Sequence, residues 1–207
     1  MKRLMRSAVS NGLALVAFSV AGTALLAGTF GLTFDTIARS EQAKQQTLLA
    51  QTLPEGSFDT DLIAHPVAAD PLLGTKKPGQ AYLARKDGKG SGVVLEVTAL
   101  DGYAGEIKLL VGILADGRLG GVRVVKHRET PGLGDYIEVE KHPWIRQFDG
   151  LSLTQVPAAQ WRVRKDGGRF DYLAGATITP RAIVKAVSKA LQYFEQHKTV
   201  LLAETKE

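Results

Sequence analysis

The chain contains no cysteine. That excludes disulfides, thiolate metal sites, cysteine-ligated iron–sulfur clusters and the usual covalent haem attachment. Its four histidines, His65, His127, His142 and His197, are scattered, with no pair at metal-ligand spacing, so no metal site is expected. Gly117 to Gly121 lacks the Gly-Lys-Ser/Thr ending of a phosphate-binding P-loop. Ser91, between Gly90 and Gly92, lacks the nucleophile-elbow pattern. Basic and aromatic residues are not interleaved, and no nucleic-acid surface is expected. There is no internal repeat and no low-complexity run. Redox chemistry in such a chain needs an organic carrier.

What is present begins at the N-terminus. The net charge is +5, and Lys2, Arg3 and Arg6 carry three of those charges, so the remainder is nearly balanced. From Ser7 to Phe34 there is no charged residue, and the apolar heart from Gly12 to Phe34 is long enough to cross a bilayer as a helix. Gly28, Gly31 and several alanines would let another membrane helix pack closely. The other reading, a cleaved signal peptide, has only Gly22 and Ala24 as a weak cleavage pair, and the run is long for one. A retained single-pass anchor is expected. Basic residues before it place a short N-terminus in the cytoplasm and the remainder outside, in the periplasm if the membrane is a bacterial inner membrane.

The organisation expected is an anchor over 1–34, a helical stalk over 35–54, a wrapping arm over 55–89 and a folded domain over 90–207. Leu53-Pro54 ends the stalk. The arm is rich in Pro, Gly and Asp, and Lys86-Asp87-Gly88-Lys89 reads as a solvated turn, as does Lys165. Strands are expected over 93–100, 107–114 and 119–125, with turns at Asp101–Gly105 and Ala115–Arg118. Gly120 and Gly121 inside the third suggest a bulge or a close approach by another backbone. Trp144, Ile145 and Phe148 suggest a short amphipathic helix, and Trp161–Arg164 a further strand. The aromatic residues Tyr136, Trp144, Trp161 and Tyr172 read as packing. The fold class is α+β: one transmembrane helix, then a mostly antiparallel sheet with packed helices.

The chemistry concentrates in Asp171–Arg181. Thr179 is a good N-cap, and Pro180 suits the first helical position. Ile183, Val184, Val187, Ala190, Leu191 and Phe194 then form an apolar stripe, with Lys185, Ser188, Lys189, Gln192 and Glu195 opposite. The Thr177 hydroxyl therefore sits beside a helix N-terminus, where free N–H groups and the dipole favour an anion. Gly175 and Ala176 keep the approach open. On residues alone, three readings stand: a phosphate-bearing cofactor site, an anchored interaction or structural module without cofactor, and an anchored hydrolase with Thr177 as nucleophile and a distant base such as His127.

Asp171-x-x-Ala174-Gly175-Ala176-Thr177 resembles the flavinylation motif of the FMN-binding domains, in which a threonine carries FMN through a phosphodiester. That family usually has serine or threonine where this chain has Ala174. His127-x-Glu129-Thr130-Pro131-Gly132-Leu133-Gly134 resembles the loop of one branch, the G subunits of Rnf-type (Rsx-type) ion-translocating electron transport complexes. The single N-terminal span and the motif order extend the similarity over nearly the whole chain.

The resemblance implies one covalent FMN on Thr177. Gly175, Ala176 and Thr179 would lie beside it, and Glu129, Thr130, Leu133 and Gly134 would line the ring. Amides of Gly132–Gly134 would face the flavin's polar edge, and Asp171 would serve recognition during attachment. Tyr103 and Gly105 resemble the family's turn before its central strands and read structurally. The implied partners are a flavin transferase using FAD and the other membrane subunits of a complex that couples ferredoxin–NAD exchange to ion movement. Alone, such a protein would turn over no small substrate.

Overall fold

The computed structural model describes residues 2–59, 62, 66–69 and 79–202. The expected wrapping arm falls in large part outside them, as does His65. The chain divides into two units, Met1–Lys44 and Gln45–Glu207.

The first unit is most of one helix, α1, which spans Lys2–Ala50 without a break. It is long and apolar enough to cross a membrane. Large apolar side chains such as Leu13, Phe18, Leu25, Phe30 and Leu32 are exposed all along it. Thr29 and Thr33 donate their hydroxyls to the carbonyls four residues back, at 2.9 and 2.7 Å, so neither presents an unpaired donor. Phe30 and Phe34 lie one turn apart with ring centroids 5.4 Å from each other.

The second unit is an antiparallel five-stranded sheet in sequence order, β1 (Pro66–Ala69), β2 (Gly79–Lys86), β3 (Lys89–Gly102), β4 (Gly105–Leu114) and β5 (Leu119–Lys126), followed by α2 (Ile178–Leu201). The three expected strands are β3, β4 and β5; β3 runs on through Asp101-Gly102 to a turn at Tyr103-Ala104, and a turn at Asp116-Gly117 joins β4 to β5. Strand β2 lies inside the expected arm, and the solvated turn that follows it is a hairpin. Asp87 and Gly88 have φ of 52° and 75°, the left-handed pair of a tight hairpin turn whose ends, Lys86 and Lys89, are cross-strand partners.

Alternation along the strands separates two cores. Val93, Leu95 and Val97 of β3 and Ile107, Leu109, Val111 and Ile113 of β4 face one way, onto the stripe of α2. All six residues expected in that stripe are buried, but so is Ser188, expected on the outer face. Full burial of each large apolar side chain contributes about 1.5–3 kcal/mol. Val94 and Leu110 face the other way, onto Leu48, Leu49 and Leu53.

That second face is seated by glycine. A Cβ on Gly112 would overlap the carbonyl oxygen of Thr52, and one on Gly120 would lie 2.7 Å from it. The pairing of β4 with β5 also shifts register between Gly112 and Ile113. Both a bulge and a close backbone approach are therefore present in this glycine-rich stretch. Thr52 is fully buried and donates its hydroxyl to the Leu49 carbonyl at 2.7 Å.

Between β5 and α2 the chain makes short 3-10 turns rather than strands. Pro143–Phe148 is one, carrying the expected buried Trp144, Ile145 and Phe148. Trp161–Arg164 is not a strand. Only Val163 bridges Phe170, and Arg164–Asp166 turns at Gly167, whose φ is 80°. The aromatic content explains why. Trp161 packs against Phe148 and Phe170 at 6.5 and 5.1 Å, so burial holds the segment without a ladder.

Candidate functional site

Three segments converge at the N-terminus of α2: the β3–β4 turn, the loop after β5 and the turn 174–177. Together they enclose a cleft of about 180 Å³, lined by Tyr103, Glu129, Thr130, Leu133, Gly134, Gly175, Ala176, Thr177, Ile178 and Thr179. Thus the two motifs, separated by some forty residues in sequence, meet in space. Asp171 is not among the lining residues. Its backbone is clamped by Trp144 Nε1, which donates to its carbonyl at 2.7 Å, and by Gln147 Oε1, which accepts from its N–H at 2.9 Å. Its exposed carboxylate pairs with Arg164 at 3.0 Å.

The helix begins two residues earlier than expected. Thr177, not Thr179, is the capping residue, and its side chain makes no capping hydrogen bond. Pro180 therefore sits third in the helix rather than first, still within the turn where N–H groups lack intrahelical partners. The reason is Thr179. Its hydroxyl is buried and donates to Glu129 Oε2 at 2.5 Å. Glu129 Oε1 accepts from the Ala104 amide at 3.1 Å. One buried carboxylate thereby ties together the three segments that frame the cleft.

Glycine supplies the geometry. Gly175 has φ of 90°, which L side chains rarely adopt. A Cβ on Gly134 would lie 2.9 Å from Glu129 Cβ, so only glycine lets the loop close over that carboxylate. The amides of Leu133 and Gly134, expected to face a bound ring, instead donate to the Thr130 carbonyl at 3.1 and 2.9 Å. A tight turn consumes its own donors, which leaves the N-terminus of α2 as the side of the cleft with free N–H groups.

Of the lining residues, Tyr103, Leu133 and Ile178 expose apolar surface. Tyr103, read from the sequence as a turn residue, is part of the cleft wall. The signal that points to it is a large aromatic in a Gly-flanked turn, a place where core packing does not require one. Trp144, Trp161 and Tyr136 are buried and pack edge-on or stacked within the core.

Behind the loop lies a charged network. His127 Nδ1 accepts the Glu129 amide at 3.0 Å, so Nε2 carries the proton and donates to Glu138 Oε1 at 2.9 Å. Lys141 donates to Glu138 at 2.6 Å and to Asp135 at 2.8 Å. Burial tends to raise the Glu138 carboxyl, but the Lys141 and His127 hydrogen bonds outweigh it and hold it below its ordinary value. Lys141 is pushed up to about 12 by Asp135 and Glu138. Tyr136 is pushed up to about 12 by burial, with the Glu129 charge adding to the effect. Both ring nitrogens of His127 are occupied and the ring does not line the cleft, so it offers no base to Thr177.

The chain is 48% identical over 200 residues to the G subunit of the ion-translocating oxidoreductase complex of Pseudomonas aeruginosa, covering 96% of this chain and 94% of that one. It belongs to that G subunit family. The protein of the same name from Vibrio cholerae is 46% identical over 192 residues, 92% of each chain. That from Shewanella oneidensis is 43% identical over 198 residues, covering 95% of this chain and 93% of that one. Residues 102–192 match the FMN-binding domain, and residues 1–52 match the RnfG N-terminal region. Every residue lining the cleft lies within the FMN-binding match.

Proposed function

We propose that this chain is a membrane-anchored flavoprotein that passes electrons, within its complex, through a single FMN held by a phosphodiester to Thr177. The observation that carries the reading is an uncapped threonine hydroxyl at a helix N-terminus, inside a cleft built from both motifs. The residues present fit the group. A phosphate on Thr177 Oγ would lie beside the first-turn amides of Ile178 and Thr179, which lack intrahelical partners, and the positive end of α2. The positive φ of Gly175 turns the chain away and keeps that approach clear. The cleft is too small for a whole flavin, so it takes the phosphate end. The exposed apolar side chains of Tyr103, Leu133 and Ile178 would border the ring. FMN, when bound, supplies the one- and two-electron chemistry that no side chain here provides.

In this reading Glu129 fixes the frame around the bound phosphate through Thr179 and Ala104, and Leu133 limits water at the mouth. Asp171, exposed and backbone-clamped, is available to a separate flavin transferase that uses FAD. Covalent attachment keeps the carrier from diffusing away outside the cytoplasm. Helix α1 anchors the chain in a bacterial inner membrane, with Lys2, Arg3 and Arg6 on the cytoplasmic side and the second unit in the periplasm. The other partners are the membrane subunits of the complex.

The test is co-expression with a flavin transferase, followed by ultraviolet fluorescence of the denatured band and intact-mass measurement. Wild-type protein and Thr177→Ser are expected to fluoresce and to carry one FMN. Thr177→Ala is expected to do neither while remaining folded; a fluorescent Thr177→Ala band overturns the assignment. Protease accessibility of the second unit in spheroplasts tests the orientation.

A further inference from the structure

A second, larger cavity lies away from the α2 cleft, on the sheet face that carries Thr52. It has a volume of about 870 Å³, and all its lining residues belong to the second unit. Arg123 of β5 forms part of its lining. Neighbouring Val122 and Val124 point into the α2-side core, so strand alternation sends Arg123 to the opposite face. Arg123 is 7% exposed. Its Nε donates to Gln51 Oε1 at 3.3 Å and its Nη1 to the Val122 carbonyl at 2.8 Å. Both acceptors are neutral. No carboxylate pairs with Arg123 among the described residues, and Nη2 has no acceptor among them. Burial holds its guanidinium below its ordinary pKa, and the more distant charges of Asp149 and Glu140 do not restore it.

A buried cation is costly unless paired. Arg146 lines the same cavity, and its guanidinium likewise has no ion pair among the described residues. Leu53, Phe58 and Val139 add apolar wall. Glu55 and Glu140 also line it and restrict how much negative charge it accepts. Two guanidinium groups suit a tetrahedral phosphate, whose oxygens can engage both, better than a planar carboxylate that fills one fork.

We propose that this cavity is a binding site for a phosphate monoester or diester carried on an apolar body, with Arg123 and Arg146 holding the phosphate and Leu53, Phe58 and Val139 the apolar part. Such a group could come from a soluble phosphate ester or from a phospholipid headgroup, and the two sources are separable.

The experiment is calorimetric titration of the purified full-length protein, in an uncharged detergent and phosphate-free buffer, with hexyl phosphate and with inorganic phosphate. Hexyl phosphate is expected to bind at one saturable site, about tenfold more tightly than inorganic phosphate because of its apolar tail. Arg146→Gln is expected to weaken binding about tenfold, the usual effect of removing one charge-assisted partner, and Arg123→Gln to abolish it. Arg146 is exposed, so that variant reports even if Arg123→Gln fails to fold. Arg118→Gln, at a separate surface pair with Asp116, is expected to bind as the wild type does. The cavity shares no lining residue with the α2 cleft, so failure of the flavin assignment leaves this result intact. Repeating the titration in nanodiscs separates the sources. Loss of hexyl phosphate binding in nanodiscs of either phosphatidylglycerol or phosphatidylcholine, both of them phosphodiesters, assigns the site to a lipid headgroup. Binding retained in both assigns it to a soluble ester. Absence of saturable binding in the wild type, or binding as tight as the wild type's by both arginine variants, overturns the proposal.

Discussion

Two regions of this molecule are made from the same residue types and end in opposite conditions. On one face of the sheet, Gly112, Gly120 and Gly121 receive the backbone of Thr52, whose hydroxyl is bonded and whose surface is fully buried. At the end of α2, Gly134 and Gly175 shape a cleft around Thr177, whose hydroxyl makes no capping bond. In the first region glycine makes room that the chain itself fills. In the second it makes room that the chain leaves open. A glycine cluster beside a threonine therefore announces a close approach without saying what approaches. The occupant is decided by whether another segment arrives to fill the space.

Substitutions can break this contrast, beginning with the filled region. Gly112→Ala sets a methyl group against the Thr52 carbonyl, with backbone on both sides and nothing able to move cheaply. A loss of about 3 kcal/mol is expected, the upper end of ordinary overpacking, read as a lowered urea midpoint. A midpoint within error of wild type would mean the crossing is loose, and the two regions would no longer differ.

Glu129→Ala is next. It strands the Thr179 hydroxyl and the Ala104 amide, and about 2 kcal/mol of destabilisation is expected by the same measurement. In the co-expression assay the fraction of flavin-bearing chains should also fall, because the frame of the cleft loosens. Loss of stability with full flavin loading would separate the frame from the site.

A smaller effect is expected from pH. Glu138 and Asp135 have carboxyl groups held below their ordinary values, Glu138 against burial and Asp135 chiefly by its Lys141 hydrogen bond. Depressed carboxylates stabilise the fold above their unfolded pKa and lose that contribution as pH falls through the folded one. Lys141 is raised to about 12 from an ordinary 10.5, so its contribution is complete below the ordinary value and disappears as pH rises through the raised one. Stability plotted against pH should therefore fall off in acid and again in strong alkali, and Lys141→Met should flatten both ends. Unchanged limbs in that variant would show that the network behind the loop does not support it.

The smallest effect on folding is expected where the proposed chemistry is greatest. Thr177→Ala removes a side chain that makes no capping bond, so stability should change by less than about 0.5 kcal/mol. Only the flavin readout should respond. A drop of several times that size would mean that Thr177 is a structural threonine like Thr52.

Much of this is legible in the residues themselves. Strands β3 to β5 are short apolar runs bounded by Gly-containing turns, and the stripe on α2 is regular, so composition and periodicity locate them. Strand β2 is hidden because its alternation is short and the residues before it follow no period; its Asp-Gly turn is the usable signal. Trp161–Arg164 reads as a strand because β-branched and aromatic residues favour one, whereas stacking of Trp161 on Phe148 and Phe170 holds it as turn. At the cleft, the residues of both motifs are visible, but composition misplaces the helix start by two residues. Thr179 has the composition of a cap and the surroundings of a core residue, and only its long-range bond to Glu129 decides between them.

The sequence by itself determined the apolar helix, the alternation of the sheet, the amphipathic α2, the absence of thiol chemistry and the family to which the chain belongs. Each follows from local composition, from periodicity, or from residues matched in order. The tertiary structure alone decided which threonine is left uncapped, which glycines are filled and which are open, and that Arg123 is buried in a cavity with no ion pair among the described residues. Those outcomes depend on contacts between residues distant in the chain, here about fifty positions from Glu129 to Thr179 and about seventy from Gln51 to Arg123. A pairing at that separation leaves no periodic trace in the sequence, because it is set by the packing of whole elements rather than by the spacing of neighbours.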